Sequence, residues 1–142
     1  MSSALDIMTE SPETLPITST VADAVQLLQT LDVRHIPIVD RRGAVAGMFS
    51  DRDLRALSIP RTLNDEWFGE FRIALETQLA SVMTAAVITI NEDTQTTEII
   101  ELMLEHKVGA LPVLDADGLL VGIVSYIDVL RALYQLEAEA VQ

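Results

Sequence analysis

Apolar and polar residues along the chain follow two periods. Val21, Ala24, Val25, Leu28 and Leu31 fall at helical spacing and predict a helix with one apolar face, capped by Ser19 or Thr20. Ile36–Val39 and Val45–Phe49 are short apolar runs around Asp40-Arg41-Arg42-Gly43. A glycine closing such a turn predicts a tight hairpin. The pattern then returns. A helix following Asp93-Thr94 shows Ile99, Ile100 and Met103, and the runs Leu111–Leu114 and Leu119–Val124 flank Asp115–Gly118. Each half reads as strand, helix, strand, strand, helix. Small sheets covered on one face by helices predict an α/β sandwich.

The halves align without a gap at a shift of 75 positions, Met8–Arg55 onto Met83–Leu130. Met8-Thr9 meets Met83-Thr84, and Val33-Arg34-His35-Ile36-Pro37 meets Val108-Gly109-Ala110-Leu111-Pro112. Gly47 meets Gly122, and Ser50-Asp51-Arg52-Asp53 meets Ser125-Tyr126-Ile127-Asp128. A repeat of this length implies two copies of one small α/β fold with approximate two-fold symmetry. Facing copies would make a cleft with two equivalent ends. The expected organisation is a first repeat over 1–60, a helical linker over 61–81, and a second repeat with a C-terminal helix over 82–142. In the linker Trp67, Phe71, Leu75 and Leu79 step by four and predict one helix, with Phe68 beside it. Its apolar face would complete the core or a dimer contact; the alternative is a lid over the cleft.

Composition removes several classes of function. No apolar run is long enough to span a bilayer, and the first ten residues lack the basic start and apolar stretch of a signal peptide. The absence of cysteine excludes disulfides, thiolate metal sites and cysteine nucleophiles, and fits a reducing, cytoplasmic setting. The net charge of -13 repels nucleic acid and anionic lipid, so neither is an expected partner. Six of the nine basic residues lie between Arg34 and Arg61, which makes the first repeat the end least hostile to an anion.

Candidate chemistry lies where each copy turns from strand into helix, at Ser50 and Asp53 and at Ser125 and Asp128. A serine with an acid three residues later is first of all a helix-capping pattern. The same geometry would serve a ligand: free N–H groups and a positive dipole end suit a phosphate, and the aspartate could accept bonds from the cis-diol of a ribose. Arg34 and His35 add anion-binding groups to the first copy, whereas the second has Gly109-Ala110, so the sites should differ. No third metal ligand and no nucleophile–base pair accompany Asp51 and Asp53, so neither a metal nor catalysis is expected.

Met-Thr, a helix, an apolar-Pro strand and Gly-x-x-Ser-x-x-Asp, each present twice, resemble a tandem pair of CBS domains, the module named from cystathionine β-synthase. The resemblance covers residues 6 to 133. It implies two βαββα repeats and a regulatory, energy-sensing module. Its ligand would be AMP, ADP, ATP or S-adenosylmethionine, bound between the repeats with no required cofactor. The signal would pass to a separate enzyme or transporter. By the same resemblance Asp53 and Asp128 take the ribose. Ser50, Ser125, Arg34 and His35 approach phosphate, and Ile36, Thr84, Val87, Ile88 and Leu111 form the adenine pocket. Glu13 stands where Ile88 stands in the second copy, and a carboxylate against a purine is costly to bury, so Glu13 should point outward or turn to the adenine amine. A homodimer is expected, through the apolar side of Ile127, Leu130, Leu133 and Tyr134. The alternative function is a ligand-free dimerisation or docking module in which both serines are caps and nothing more.

Overall fold

The computed structural model describes residues 2–31, 33–60 and 69–141. The elements run α1 (Ala4–Ile7), β1 (Thr9–Glu10), β2 (Leu15–Pro16), α2 (Val21–Leu31), β3 (His35–Val39), β4 (Val45–Ser50) and α3 (Asp51–Ala56). After these come α4 (Arg72–Glu76), α5 (Leu79–Val82), β5 (Ile90–Asn91), α6 (Thr96–His106), β6 (Ala110–Leu114), β7 (Leu120–Ser125) and α7 (Tyr126–Val141). They form two compact units, Glu13–Val87 on one hand and Met1–Pro12 with Ile88–Gln142 on the other. No described helix is long and apolar enough to cross a membrane.

In the unit Glu13–Val87 the sheet order is β2-β3-β4. β2 is parallel to β3, and β3 is antiparallel to β4, with His35 opposite Ser50 and Ile36 opposite Phe49. The predicted hairpin forms. Asp40 Oδ1 accepts the N–H of Arg42 at 2.9 Å and of Ala44 at 3.0 Å, and Gly43 takes φ +83°, which favours glycine. α2 buries Val21, Ala24, Val25 and Leu28 against Ile36, Ile38, Phe49 and Leu54. Burying each of the larger apolar side chains contributes about 1.5–3 kcal/mol. Leu31, expected on that face, is 43% exposed, because it is the last residue of the helix and lies past the end of the core. Thr20 provides the cap: its Oγ1 accepts the Asp23 N–H at 3.4 Å, and its own N–H and hydroxyl donate to Asp23 Oδ2 at 2.9 and 3.2 Å.

The linker differs from the expected single helix. α4 stops at Glu76 and α5 starts at Leu79, with Thr77 and Gln78 extended between them. The reason lies in the backbone partners. The Val21 N–H donates to the Thr77 carbonyl and the Leu79 N–H to the Ser19 carbonyl, each at 2.9 Å, so groups that a continuous helix would pair internally are paired across the fold. Leu75 and Leu79 are nevertheless core residues, 1% and 0% exposed, and Phe71 packs against that core, so these three belong to the core and not to a lid. Trp67 and Phe68 lie outside the described residues.

The other unit carries the sheet β1-β7-β6-β5 over a core of Ala4, Ile90, Ile99, Leu111, Val113, Val124 and Val129. Its hairpin repeats the first: Asp115 Oδ1 accepts from Asp117 and Leu119, and Gly118 takes φ +80°. Ile100 and Met103 pack against this core as the helical spacing predicts. The edge strand β1 comes from the start of the chain and pairs antiparallel with β7, Thr9 opposite Ile123. The same pair occurs at the shifted position in the unit Glu13–Val87. There Met48 and Thr84 exchange both N–H···O bonds at 2.9 Å. Thus the Met-Thr that opens each copy completes the sheet of the other copy.

Candidate functional site

β4 ends at Ser50 and α3 begins at Asp51, and this junction is a reciprocal capping box. The Asp53 N–H donates to Ser50 Oγ at 3.3 Å, while the Ser50 N–H and hydroxyl donate to Asp53 Oδ2 at 2.8 and 3.1 Å. Ser125 and Asp128 repeat it at 2.9, 3.1 and 3.3 Å where β7 meets α7. In both copies one carboxylate oxygen, Oδ2, serves the cap. What the other oxygen can do depends on its surroundings, and there the copies part.

In the first copy the pairing of β3 with β4 sets His35 beside Ser50. The Asp51 N–H donates to the Arg34 carbonyl at 2.9 Å, which fixes the entry to β3 against the start of α3. The Arg34 guanidinium reaches back to Asp51, Nη1 to Oδ2 at 3.6 Å, yet its side chain is 57% exposed. Arg34, His35, Ser50, Asp51 and Asp53 therefore gather at one end of the β3–β4 ladder. Burial holds the His35 imidazole below its ordinary pKa of 6.5; Asp53 opposes this, Arg52 adds to it, Asp51 opposes and Arg34 adds. A neutral imidazole and a solvated guanidinium beside a carboxylate suit a ligand with an anionic end and a hydroxylated end. Among the described residues Asp53 Oδ1 has no hydrogen-bond partner, and Asp53 is half-buried.

In the second copy the backbone is the same and the side chains are not. The Tyr126 N–H donates to the Gly109 carbonyl at 2.9 Å and Ala110 stands opposite Ser125, so no cation occupies the places of Arg34 and His35. Asp128 is only 6% exposed. Its Oδ1 accepts from Thr9 Oγ1 at 3.4 Å and Arg131 Nη1 at 3.3 Å.

The remaining site candidates are more scattered. Ile36 and Leu111 are 0% exposed members of the two cores. Thr84 is exposed with its backbone committed to Met48, while Val87 and Ile88 are half-buried and belong to different units. Glu13 is exposed and points outward. Thr9 and Arg131 were not anticipated as site residues. The sequence does carry a signal for Arg131, because the 75-residue shift sets it against Ala56. Among the described residues no cluster of His, Asp and Glu is arranged to hold a metal ion.

The family model of the CBS domain matches residues 4–59 and 79–135. A CBS domain-containing protein of Dictyostelium discoideum is 30% identical over 134 residues, covering 92% of this chain and 90% of that protein. The inosine-5'-monophosphate dehydrogenase of Methanocaldococcus jannaschii is 27% identical over 126 residues, and the chain, 89% of which is matched, spans 21% of the dehydrogenase's length. The crystal structure of CBSX2 of Arabidopsis thaliana in complex with AMP superposes with a TM-score of 0.80 at 29% identity, covering 96% of this chain and 99% of that one.

Proposed function

The chain belongs to the CBS-domain family as a tandem pair of CBS domains, and from that premise we propose that it is a regulatory module that binds an adenosine nucleotide. The observation that carries this reading is the half-buried Asp53, with Oδ1 unpartnered among the described residues, beside the solvated Arg34 and the half-buried His35. Such a group can take a ribose hydroxyl at one end and a phosphate at the other. CBSX2, a relative of similar fold, is complexed with AMP, which supports AMP as the first ligand to test, ahead of ADP, ATP and S-adenosylmethionine. Asp53 and Asp128 accept ribose hydroxyls; Arg34, His35 and the rotatable hydroxyls of Ser50 and Ser125 approach phosphate; Thr84, Val87 and Ile88 carry adenine contacts, while Ile36 and Leu111, with no exposed surface, back them from the cores. The module catalyses nothing itself. It acts as a homodimer, and its ligand state is read by a separate enzyme or transporter.

Thermal melting and titration calorimetry with AMP, ADP, ATP, adenosine, S-adenosylmethionine, NADH and cyclic dinucleotides test this. A ligand at a hundred times its Kd adds about 2.7 kcal/mol to stability. Failure of every ligand to move the melting temperature at millimolar concentration would defeat the reading. A second reading, a ligand-free pairing module, is favoured by one fact: both serine–aspartate pairs are already complete as helix caps. Asp53→Glu separates the two. A capping box accepts glutamate, so the fold survives, whereas a ribose contact one methylene too long loses the nucleotide.

A further inference from the structure

We propose that the two adenosine sites are ranked by an internal competitor: Asp53 is the open ribose acceptor, and Asp128 is held back by Arg131 and Thr9. The inference rests on the nucleotide-binding reading above and adds an order of occupancy and the residues that set it. The two aspartates are equivalent in the repeat and make the same cap through Oδ2. A ribose diol must therefore approach through Oδ1. At Asp53 that oxygen has no partner among the described residues. At Asp128 it already accepts the Thr9 hydroxyl at 3.4 Å and the Arg131 guanidinium at 3.3 Å, and the residue is 6% exposed. A diol binding there displaces a charge-assisted bond before it gains its own.

The competitor belongs to one copy alone. The residue aligned with Arg131 is Ala56, which has nothing to offer Asp53. Thr9 and Thr84 are aligned too, but among the described residues it is Thr9 whose hydroxyl reaches the aspartate of the other copy, Asp128. The Arg131 side chain is 62% exposed, so solvent and salt weaken its hold on Asp128. The expected penalty is thus a few-fold in affinity. Its sign under salt is distinctive. Screening loosens the Arg131–Asp128 pair, so neutral adenosine binds the second site more tightly as ionic strength rises, whereas a phosphate contact at Arg34 weakens.

Nuclear magnetic resonance on the full chain tests this, with the Ser50 and Ser125 amides as reporters of the two sites. During an AMP titration the Ser50 signal should move at lower concentration than the Ser125 signal. Arg131→Ala should lower the half-point for adenosine at Ser125 by about three- to fivefold, with Ser50 unmoved. Thr9→Val should act in the same direction without removing a charge. Simultaneous movement of both amides in the wild-type protein overturns the ranking. An unchanged or raised half-point at Ser125 in Arg131→Ala overturns the role of Arg131. Silence of both amides with every adenosine ligand defeats the nucleotide reading itself, a result distinct from either of the others.

Discussion

Gly122 lies directly beneath Met8: a Cβ on this glycine would sit 2.9 Å from Met8 Cγ and 3.1 Å from the Thr9 carbonyl oxygen. Gly47 lies beneath Met83 in the same way, 2.9 Å from Cγ and from Cε. The opening methionine of each copy thus seats on the strand glycine of the other. The close approach keeps both positions small, because the edge segment must come within hydrogen-bonding reach of β4 or β7.

Gly122→Ala should destabilise the protein by about 1–3 kcal/mol, the usual range for forcing a methyl into packed space. Gly47→Ala should cost less, since its close contacts are all to the flexible Met83 side chain, whereas Gly122 also faces backbone. Met8→Ala should relieve part of the Gly122→Ala loss, so the double variant will be non-additive in chemical denaturation. Equal losses at the two glycines would show that the Thr9 carbonyl imposes no constraint.

These contacts mark the boundary of what the sequence discloses. The hairpins at Asp40–Gly43 and Asp115–Gly118, the apolar face of α2 and both serine caps rest on residues near one another in the chain, and local spacing reports them. The seating of Met8 on Gly122 joins residues more than a hundred positions apart. The repeat displays both ends of that contact without saying which copy each joins. The break at Thr77–Gln78 has the same origin. A four-residue apolar step reads as one helix, and the segment Ser19–Val21 whose backbone interrupts it is distant in sequence. The difference between Arg131 and Ala56 is visible in the repeat, but its meaning depends on the contact of Arg131 with Asp128, which the sequence does not display.

Arg34→Ala should weaken AMP by about three- to tenfold, the size of one charge-assisted contact discounted for the exposure of the side chain, and leave adenosine unchanged. The dependence of AMP affinity on salt should become shallower. Calorimetry at two ionic strengths decides the matter. Equal losses for AMP and adenosine would assign Arg34 to the Asp51 contact and the fold, not to phosphate.

His35 gives stability a defined pH dependence. Its folded pKa lies below the ordinary 6.5, chiefly through burial, so the unfolded chain takes up the proton first as the solution is acidified. The stabilising contribution of neutral His35 is complete above about pH 6.5 and is lost as pH falls through the folded pKa. His35→Gln removes this component. The stability difference between wild type and variant, measured by denaturation from pH 8 to pH 5, should shrink or invert on the acid side. A difference that stays constant across the range would mean that His35 does not titrate differently in the folded protein.

The last expectation concerns α7. Its inner side buries Val129 and Ala132, while Ile127, Leu130, Leu133 and Tyr134 are 46, 57, 39 and 74% exposed along the other. An apolar row of this kind on one helix marks a contact surface, and a second copy would cover it with closed symmetry. Light scattering at micromolar concentration should therefore give twice the 15.6 kDa of one chain, and Leu130→Glu should return it to the single mass. A 15.6 kDa particle across that range would refute the dimer. The same helix carries Asp128 in its first turn and Arg131 between two residues of the outer row. A ligand that pulls Asp128 away from Arg131 frees a guanidinium at the edge of that surface. Dimer affinity and nucleotide affinity are then coupled, and thermodynamic linkage requires each to change the other by the same factor. Dissociation constants measured with and without saturating AMP should differ, and the difference should vanish in Arg131→Ala.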